Sequence, residues 1–270
     1  MRLSTFTFIL FLLPVISFSH SFFTDSLSLK SNYALSPQAD LPIVYIDIST
    51  GSHALVLGTR VKPLSISQIN ALNKNDINSF DRWAVNKNSK TAAKLSDAFL
   101  YSAILPATLV CMEPLCKKNG KNTSAKTTLI AAETFFAVSS ITLLTKELVH
   151  RPRPYLYNPS VAVSEKVLRD SRYSFFSGHT SATAAMYFFS AQMFALNNPH
   201  SRFRPYVWTV CAIVPAITGV LRVSAGKHFP TDVITGYLVG ASLGILIPRM
   251  HVLGMRNRVN RQSNYSAFRL

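Results

Sequence analysis

Acidic side chains are scarce in this sequence: 12 Asp and Glu stand against 28 Lys and Arg over 270 residues. Charged residues of both signs make up only 15% of the chain and apolar ones 48%. So little charge excludes an ordinary soluble domain. The surplus of +16 suits an anionic partner, either a membrane surface or an anionic ligand. Nucleic acid fits poorly, because the basic residues form short clusters between long apolar runs. Cysteine is scarce too. Cys111, Cys116 and Cys211 lie in or beside apolar runs without metal-ligand spacing, which excludes a disulfide framework and reads as small buried hydrophobes. No internal repeat, low-complexity tract or acidic metal-binding cluster stands out.

What the chain has in quantity is apolar sequence. Arg2 followed by the run Phe6 to Phe18, with small residues at Ser19–Ser21, reads as a signal peptide or an uncleaved signal anchor over 1–21. Five later stretches are candidates for crossing a bilayer: Ser96–Met112, Thr127–Val149, Thr180–Leu196, Tyr206–Leu221 and Val233–Ile247. Several fall short of the roughly 20 residues a span needs, so flanking residues must contribute. A sixth stretch, Leu41–Gly58, carries Asp47 and is expected to break at Ser49–His53. The expected fold is all-α, a polytopic bundle of about five or six spans with its functional loops on one face.

The loops set the orientation. Lys117, Lys118, Lys121 and Lys126 form one cluster, His200, Arg202 and Arg204 a second, and Arg249, Arg256, Arg258, Arg261 and Arg269 a third. Positive loops stay cytoplasmic, and alternating spans put all three clusters on one side. The connections 151–179 and 222–232 then fall outside. The first of the five spans must start outside, so an odd number of crossings precedes it. The N-terminal segment supplies one, which leaves Leu41–Gly58 uncrossed. Residues 22–95 read as an outer-side interfacial segment, with Leu72, Ile77, Phe80, Trp83 and Ala84 giving Ser65–Lys94 an amphipathic helical pattern. Residues 96–250 form the spanning domain and 251–270 a basic cytoplasmic tail.

Chemistry concentrates in three segments at outer ends of spans. The first is Lys146 to Pro154. Arg153 follows Lys146 by seven positions, and Pro152 and Pro154 should stop the helix near His150. For Arg151, snorkelling to the interface stands level with a functional role. The second runs from Ser174 to Ser181: Ser177 caps the next helix, its first amides can receive an anion, and Gly178 lets backbone approach a ligand. The third runs from Arg222 to Asp232, with a carboxylate four positions after His228 that can orient its imidazole. The candidate residues drawn from them are two histidines (His179 and His228), one carboxylate (Asp232) and three cations (Lys146, Arg153 and Arg222). That set fits phosphoryl transfer, in which cations neutralise phosphate, one imidazole attacks and the other moves protons.

The three segments resemble the signature of the type 2 phosphatidic-acid phosphatase superfamily: Lys, six residues, Arg-Pro; then Pro-Ser-Gly-His; then Ser-Arg, five residues, His, three residues, Asp. Lys146 with Arg153-Pro154, Ser177-Gly178-His179, and Arg222 with His228 and Asp232 match in order and spacing. Phe176 stands where the family prefers proline and Leu221 where it prefers serine. The resemblance covers about Ser96 to Ile247. It implies a membrane lipid phosphatase in which His228 attacks phosphorus, Asp232 holds its ring, and His179 protonates the leaving oxygen and then activates water. Lys146, Arg153, Ser177, Gly178 and Arg222 would bind the phosphoryl oxygens. It implies no metal or other cofactor, and a lipid phosphate or diphosphate as substrate, met at the outer face of the cell membrane. A vanadate-binding haloperoxidase relative and a non-catalytic transporter or channel subunit are the alternatives. The absence of a large soluble domain opposes the first. Glu133, a carboxylate inside a span, is the residue that best suits the second, although it could equally bond a neighbouring span.

Overall fold

The structure, a computed structural model, describes residues 35, 37–117 and 120–267, with side chains described at 35, 40–117 and 120–252. The expected signal segment at 1–21 and nearly all side chains of the basic tail lie outside that range. The described chain is helical throughout, with no strand among the described residues. Its long helices are α1 (Pro37–Gly58), α2 (Lys90–Ser102), α3 (Ile104–Met112), α4 (Gly120–Val149), α5 (Gly178–Asn197), α6 (Arg204–Ser224) and α7 (Pro230–Ala267). Among the described residues, five stretches are long and apolar enough to cross a bilayer: Asp40–Gly58, Lys90–Cys116, Gly120–Tyr157, Arg204–Ser224 and Pro230–Val252. The chain is a multi-pass membrane protein of all-α class, as the sequence leads one to expect.

The set of spans differs from expectation at two places. Leu41–Gly58 does not break at Ser49–His53, and α1 runs through it without interruption. The polar side chains there bond back onto their own helix. Thr50 donates to the Ile46 carbonyl (2.7 Å) and His53 donates from Nδ1 to the Ser49 carbonyl (2.7 Å). Gly51 faces the Ser140 hydroxyl of α4, so the small residues of this stretch serve close packing between helices. At one end Ile43 packs with Val110, Ile130 and Ile247; at the other Gly58 abuts Glu147 and Arg169. The helix therefore runs the length of the bundle, and it can supply by itself the odd crossing that alternation requires. The second difference is α5, which contains the expected span Thr180–Leu196 but is not among the five stretches that are apolar enough. It is instead the enclosed helix. Thr180, Ser181, Thr183, Ser190 and Gln192 are all buried against neighbours rather than facing lipid.

α5 can sit at the centre because α7 presents glycine to it every fourth residue. A Cβ at Gly236, Gly240 or Gly244 would run into the backbone of Ser177, Ser181 or Ala185. The two backbones approach closely along this seam, as small residues permit in membrane helices. α4 crosses despite many hydroxyls, because Thr134, Ser140, Thr142 and Thr145 each donate to the carbonyl four residues back.

The stretch Ser65–Lys94 is not one amphipathic helix. It is a chain of short turns, Ile66–Asn70, Lys74–Asp76, Ser79–Arg82 and Trp83–Asn86, with Lys90 already in α2. Ser65, Asn73, Asn78 and Ser89 each cap the turn that follows, and every new cap ends the previous helix. Phe80 and Trp83 remain exposed, while Ile77, Ala84 and Val85 pack on Val223 and Phe229. This segment thus lies over the connection between α6 and α7. Of the cysteines, all free, Cys211 is buried as expected but Cys116 is exposed.

Candidate active site

The first expected segment ends its helix as the prolines require. α4 stops at Val149, and His150 turns into the left-handed region (φ +49°) while donating to the Lys146 carbonyl. Lys146 stays on the helix. Its ammonium lies 3.4 Å from where a Cβ on Gly178 would stand, so the open side of Gly178 faces a cation. Arg153 has left the helix and is buried. It donates from Nε to the Asp170 carbonyl (2.8 Å), from Nη2 to the Asp170 carboxylate (2.7 Å) and from Nη1 to the Lys227 carbonyl (3.1 Å).

The second segment opens α5 with Ser177 as its cap. The Ser177 hydroxyl is 2.9 Å from that of Thr180 and accepts from the Thr180 N–H at 3.4 Å. The Phe175–Phe176 peptide is cis, and Phe176 is buried. His179 donates from Nε2 to Asp97 on α2 (2.8 Å). The same carboxylate lies 3.7 Å from Arg222, whose Nη1 donates to Ser96 (3.2 Å) and whose buried Nε meets no hydrogen-bond acceptor among the described residues.

The third segment carries His228 on the loop between α6 and α7. Gly226 shapes that loop with φ +67°, and the Lys87 carbonyl passes so close that no side chain fits. The His228 ring is fully enclosed. Its Nδ1 donates to the Ser174 carbonyl (2.6 Å), and its Nε2 lies 3.4 Å from Arg153 Nη1. With the proton on Nδ1, Nε2 is unprotonated and its lone pair faces Arg153 Nη1. Burial first, and then Arg153, Arg222 and Lys146, hold the His228 pKa well below the usual 6.5.

Asp232 does not hold the ring directly, contrary to expectation. Its Oδ2 is 3.9 Å from His228 Nδ1. That oxygen instead accepts from the Ser174 hydroxyl (2.5 Å) and the Phe229 N–H (2.9 Å). As the first-turn carboxylate of α7 it satisfies local donors, and it reaches His228 through Ser174. All eight expected site residues converge at one end of the bundle, where Lys146 and Arg222 act on both histidines and Arg153 acts on His228.

Four contributors were not anticipated in these roles. Asp97 bonds His179 and Asp170 anchors Arg153. Arg151 is no snorkelling cation: it pairs with both Asp81 (2.8 Å) and Asp232 and lies 4.2 Å over the Phe229 ring. Asp81 is wholly buried. Burial by itself would raise its pKa, but bonds from Thr231, Arg151 and Asn78 outweigh that and hold it below the usual carboxylate value. An acid at the head of an apolar run was the available signal for Asp97. Asp81, three residues after Asn78, reads from sequence as an ordinary first-turn acid.

One grouping among the described residues could hold a metal ion: Asp40, Glu133 and His251, at the far end of the bundle. Glu133 accepts from His251 Nε2 (2.8 Å) and Asp40 lies 3.2 Å from Nδ1. The two carboxylates flank opposite nitrogens of one ring, so the imidazole itself lies between them rather than beside an open cage for an ion. Glu133 therefore ties α4 to α7, which removes the feature that best suited transport.

Residues 127–256 match the PAP2 superfamily. The chain is 29% identical over 103 residues to phosphatidylglycerophosphatase B of Bacillus subtilis, covering 38% of this chain and 47% of that protein. It is 31% identical over 84 residues to lipid A 4'-phosphatase of Porphyromonas gingivalis, covering 31% of this chain and 32% of the relative. It is 30% identical over 134 residues to decaprenylphosphoryl-5-phosphoribose phosphatase of Mycobacterium tuberculosis, covering 50% and 66%. The matched stretches thus span between a third and two thirds of these relatives. Among solved structures, a transmembrane PAP2-type phosphatidylglycerolphosphate phosphatase of Bacillus subtilis superposes with a TM-score of 0.47 at 20% identity, over 80% of this chain and 98% of that one. The chain is a member of the PAP2 superfamily.

Proposed function

We propose that this protein hydrolyses a phosphate monoester or diphosphate of a membrane lipid through a phosphohistidine intermediate. The observation that carries the reading is the fixed tautomer of His228, whose unprotonated Nε2 faces Arg153 and lies within the electrostatic reach of Arg222 and Lys146. Nε2 attacks phosphorus and the bond to the leaving oxygen breaks. His179 gives that oxygen a proton, then removes one from the water that releases phosphate from His228. Lys146, Arg153 and Arg222 neutralise the phosphoryl oxygens, with the Gly178 amide at the helix start and Ser177 shaping that end of the site. Burial first, and then Arg222, push the His179 pKa down to about 4; the bond to Asp97 opposes that shift and favours the protonated form. Asp232 orients Ser174, whose carbonyl orients the nucleophile.

The charge of the transferred group is met by side chains, so we infer a metal-independent reaction. Lys121, Lys126, Arg202, Arg204 and Arg249, at the opposite end of the bundle, support placing the site at the outer face. An apolar groove of 420 Å³ between α6 and α7, lined by Trp83, Val220, Val223, Ile234 and Leu238, flanks the His228 loop and supports a substrate with a hydrocarbon tail. The names of the relatives, together with the resemblance, suggest the panel to try: phosphatidylglycerol phosphate, lipid A, a polyprenyl phosphate or diphosphate, and phosphatidate. Phosphate release from each in detergent micelles, with excess EDTA present, tests the proposal. Turnover of at least one lipid in EDTA is expected. No release from any of them, or activity that returns only with added magnesium, would contradict it.

A further inference from the structure

The nucleophile's surroundings are not built only from the stretch that matches the family. Asp81 belongs to the short turn Ser79–Arg82, well before residue 127, yet it sits in the innermost polar layer around the α6–α7 loop. Its Oδ1 accepts from the Thr231 N–H (3.0 Å). Its Oδ2 accepts from the Thr231 hydroxyl (2.5 Å), from Asn78 Nδ2 (2.7 Å) and from Arg151 Nη2 (2.8 Å). The other arm of Arg151 reaches Asp232. Asp232 accepts from the Ser174 hydroxyl, and the Ser174 carbonyl accepts the Nδ1 proton of His228. Every link in this series is at hydrogen-bond distance, and the bond partners Asp81 and Thr231 are 150 residues apart in sequence.

We propose that Asp81 is a positioning residue for the nucleophile, resting on the reading of His228 as that nucleophile: through Thr231 and Arg151 it fixes Asp232, and so keeps His228 in the tautomer with Nε2 bare. The arrangement calls for an anion at position 81. Three of the bonds converge on one buried oxygen, and one of those comes from a guanidinium, which only an acceptor can satisfy. Two carboxylates share that guanidinium. If Asp81 lost its charge, Arg151 would turn wholly to Asp232 and compete with Ser174 and the Phe229 N–H for its oxygens. The Ser174 backbone would then lose its anchor, and the ring of His228 its orientation. A brace that merely held the Trp83–Asn86 turn in place would need none of this, since Ala84 and Val85 already dock on Val223 and Phe229.

The test uses the full-length protein purified in detergent. Asp81→Asn keeps the shape and one acceptor but removes the charge and sets its NH2 against a donor, either Arg151 or the Thr231 N–H. It should lower kcat and the single-turnover rate of phosphoenzyme formation by about 10- to 100-fold, the range for partners one layer outside a functional group. KM should stay nearly constant. Combined with Asp232→Asn it should cost little more than Asp232→Asn does by itself, because both act on the same link. An unchanged phosphoenzyme rate, or losses that multiply in the double variant, would overturn the proposal. If Asp81→Asn does not fold, Thr231→Val removes one of the bonds to Asp81 and is read in its place: a lowered kcat at wild-type KM supports the proposal and a wild-type kcat refutes it. If wild-type protein forms no phosphohistidine at all, it is the reading of the nucleophile that fails instead.

Discussion

Arg153 lies 3.4 Å from the proposed nucleophile, His228, and how firmly it is held can be tested through Asp170. Asp170 lies at the surface with its side chain 60% exposed, whereas that of Arg153 is 4% exposed. Replacing Asp170 by alanine removes the carboxylate bond to Nη2 but leaves the backbone carbonyl that accepts from Nε, and leaves the Lys227 carbonyl at Nη1. One of three tethers is lost. A charge-assisted bond is worth about 1.5–3 kcal/mol when buried, but the exposed half of this pair is screened, and surface pairs give only about 0.2–1 kcal/mol. With one partner buried, the upper end of the surface range applies. About 1 kcal/mol corresponds to roughly a fivefold loss in kcat/KM. Asp170→Asn, which can still accept from Nη2, should lose less. Phosphate release at low and high salt is the assay, and the difference between wild type and variant should narrow as salt rises. A loss of a hundredfold or more would mean that Asp170 does more than tether Arg153. No loss at all would mean that the two backbone carbonyls are sufficient.

Three further predictions follow from the same geometry. His228 should remain neutral with its proton on Nδ1 at pH values just below 6.5, because its pKa is held well under that value; nitrogen-15 spectra of labelled imidazole report this, and a charged ring there would contradict it. By linkage the unfolded chain then binds a proton that the folded one excludes, so this residue's effect on stability worsens as pH falls through 6.5 and is absent above it. Gly240→Ala should destabilise by about 1–3 kcal/mol, since its Cβ would press on the Ser181 carbonyl and stand 2.9 Å from the Ala184 Cβ; unchanged thermal unfolding in detergent would show that the α5–α7 seam is looser than described. A reporter inserted near Ser160 should be external and one fused after Ile247 cytoplasmic, and the reverse pattern would invert the proposed orientation.

The motif residues were legible because the family signature fixes their spacing: Lys146 to Arg153, and His228 to Asp232, keep set intervals along the chain. Their partners carry no such constraint. Asp81, Asp97 and Asp170 reach the site from separate turns and helices, and nothing local separates them from caps or surface charges. Arg151 was ambiguous for a related reason. A cation at a helix end snorkels by default unless an acid is folded against it, and here that acid lies 70 residues earlier. The continuity of α1 was missed because hydroxyl and imidazole groups count as breakers when scored singly. Bonded to the preceding turn they are compatible with a membrane helix. Counting apolar residues found α5 for the wrong reason, since that helix is enclosed by protein and its polar side chains are satisfied there.

The central claim is that His228 forms the covalent bond to phosphorus while His179 moves the protons. Both variants can be incubated with a lipid phosphate and with an aryl phosphate, then quenched and probed for acid-labile, base-stable phosphate on the protein. His228→Ala should trap none with either substrate and should not turn over. His179→Ala should lose roughly 10²–10⁴-fold with the lipid, whose alkoxide needs a proton to leave, yet still accumulate phosphohistidine from the aryl phosphate, whose leaving group needs less help. Substantial turnover by His228→Ala, together with no phosphoenzyme from His179→Ala on any substrate, would show that the nucleophile has been misassigned.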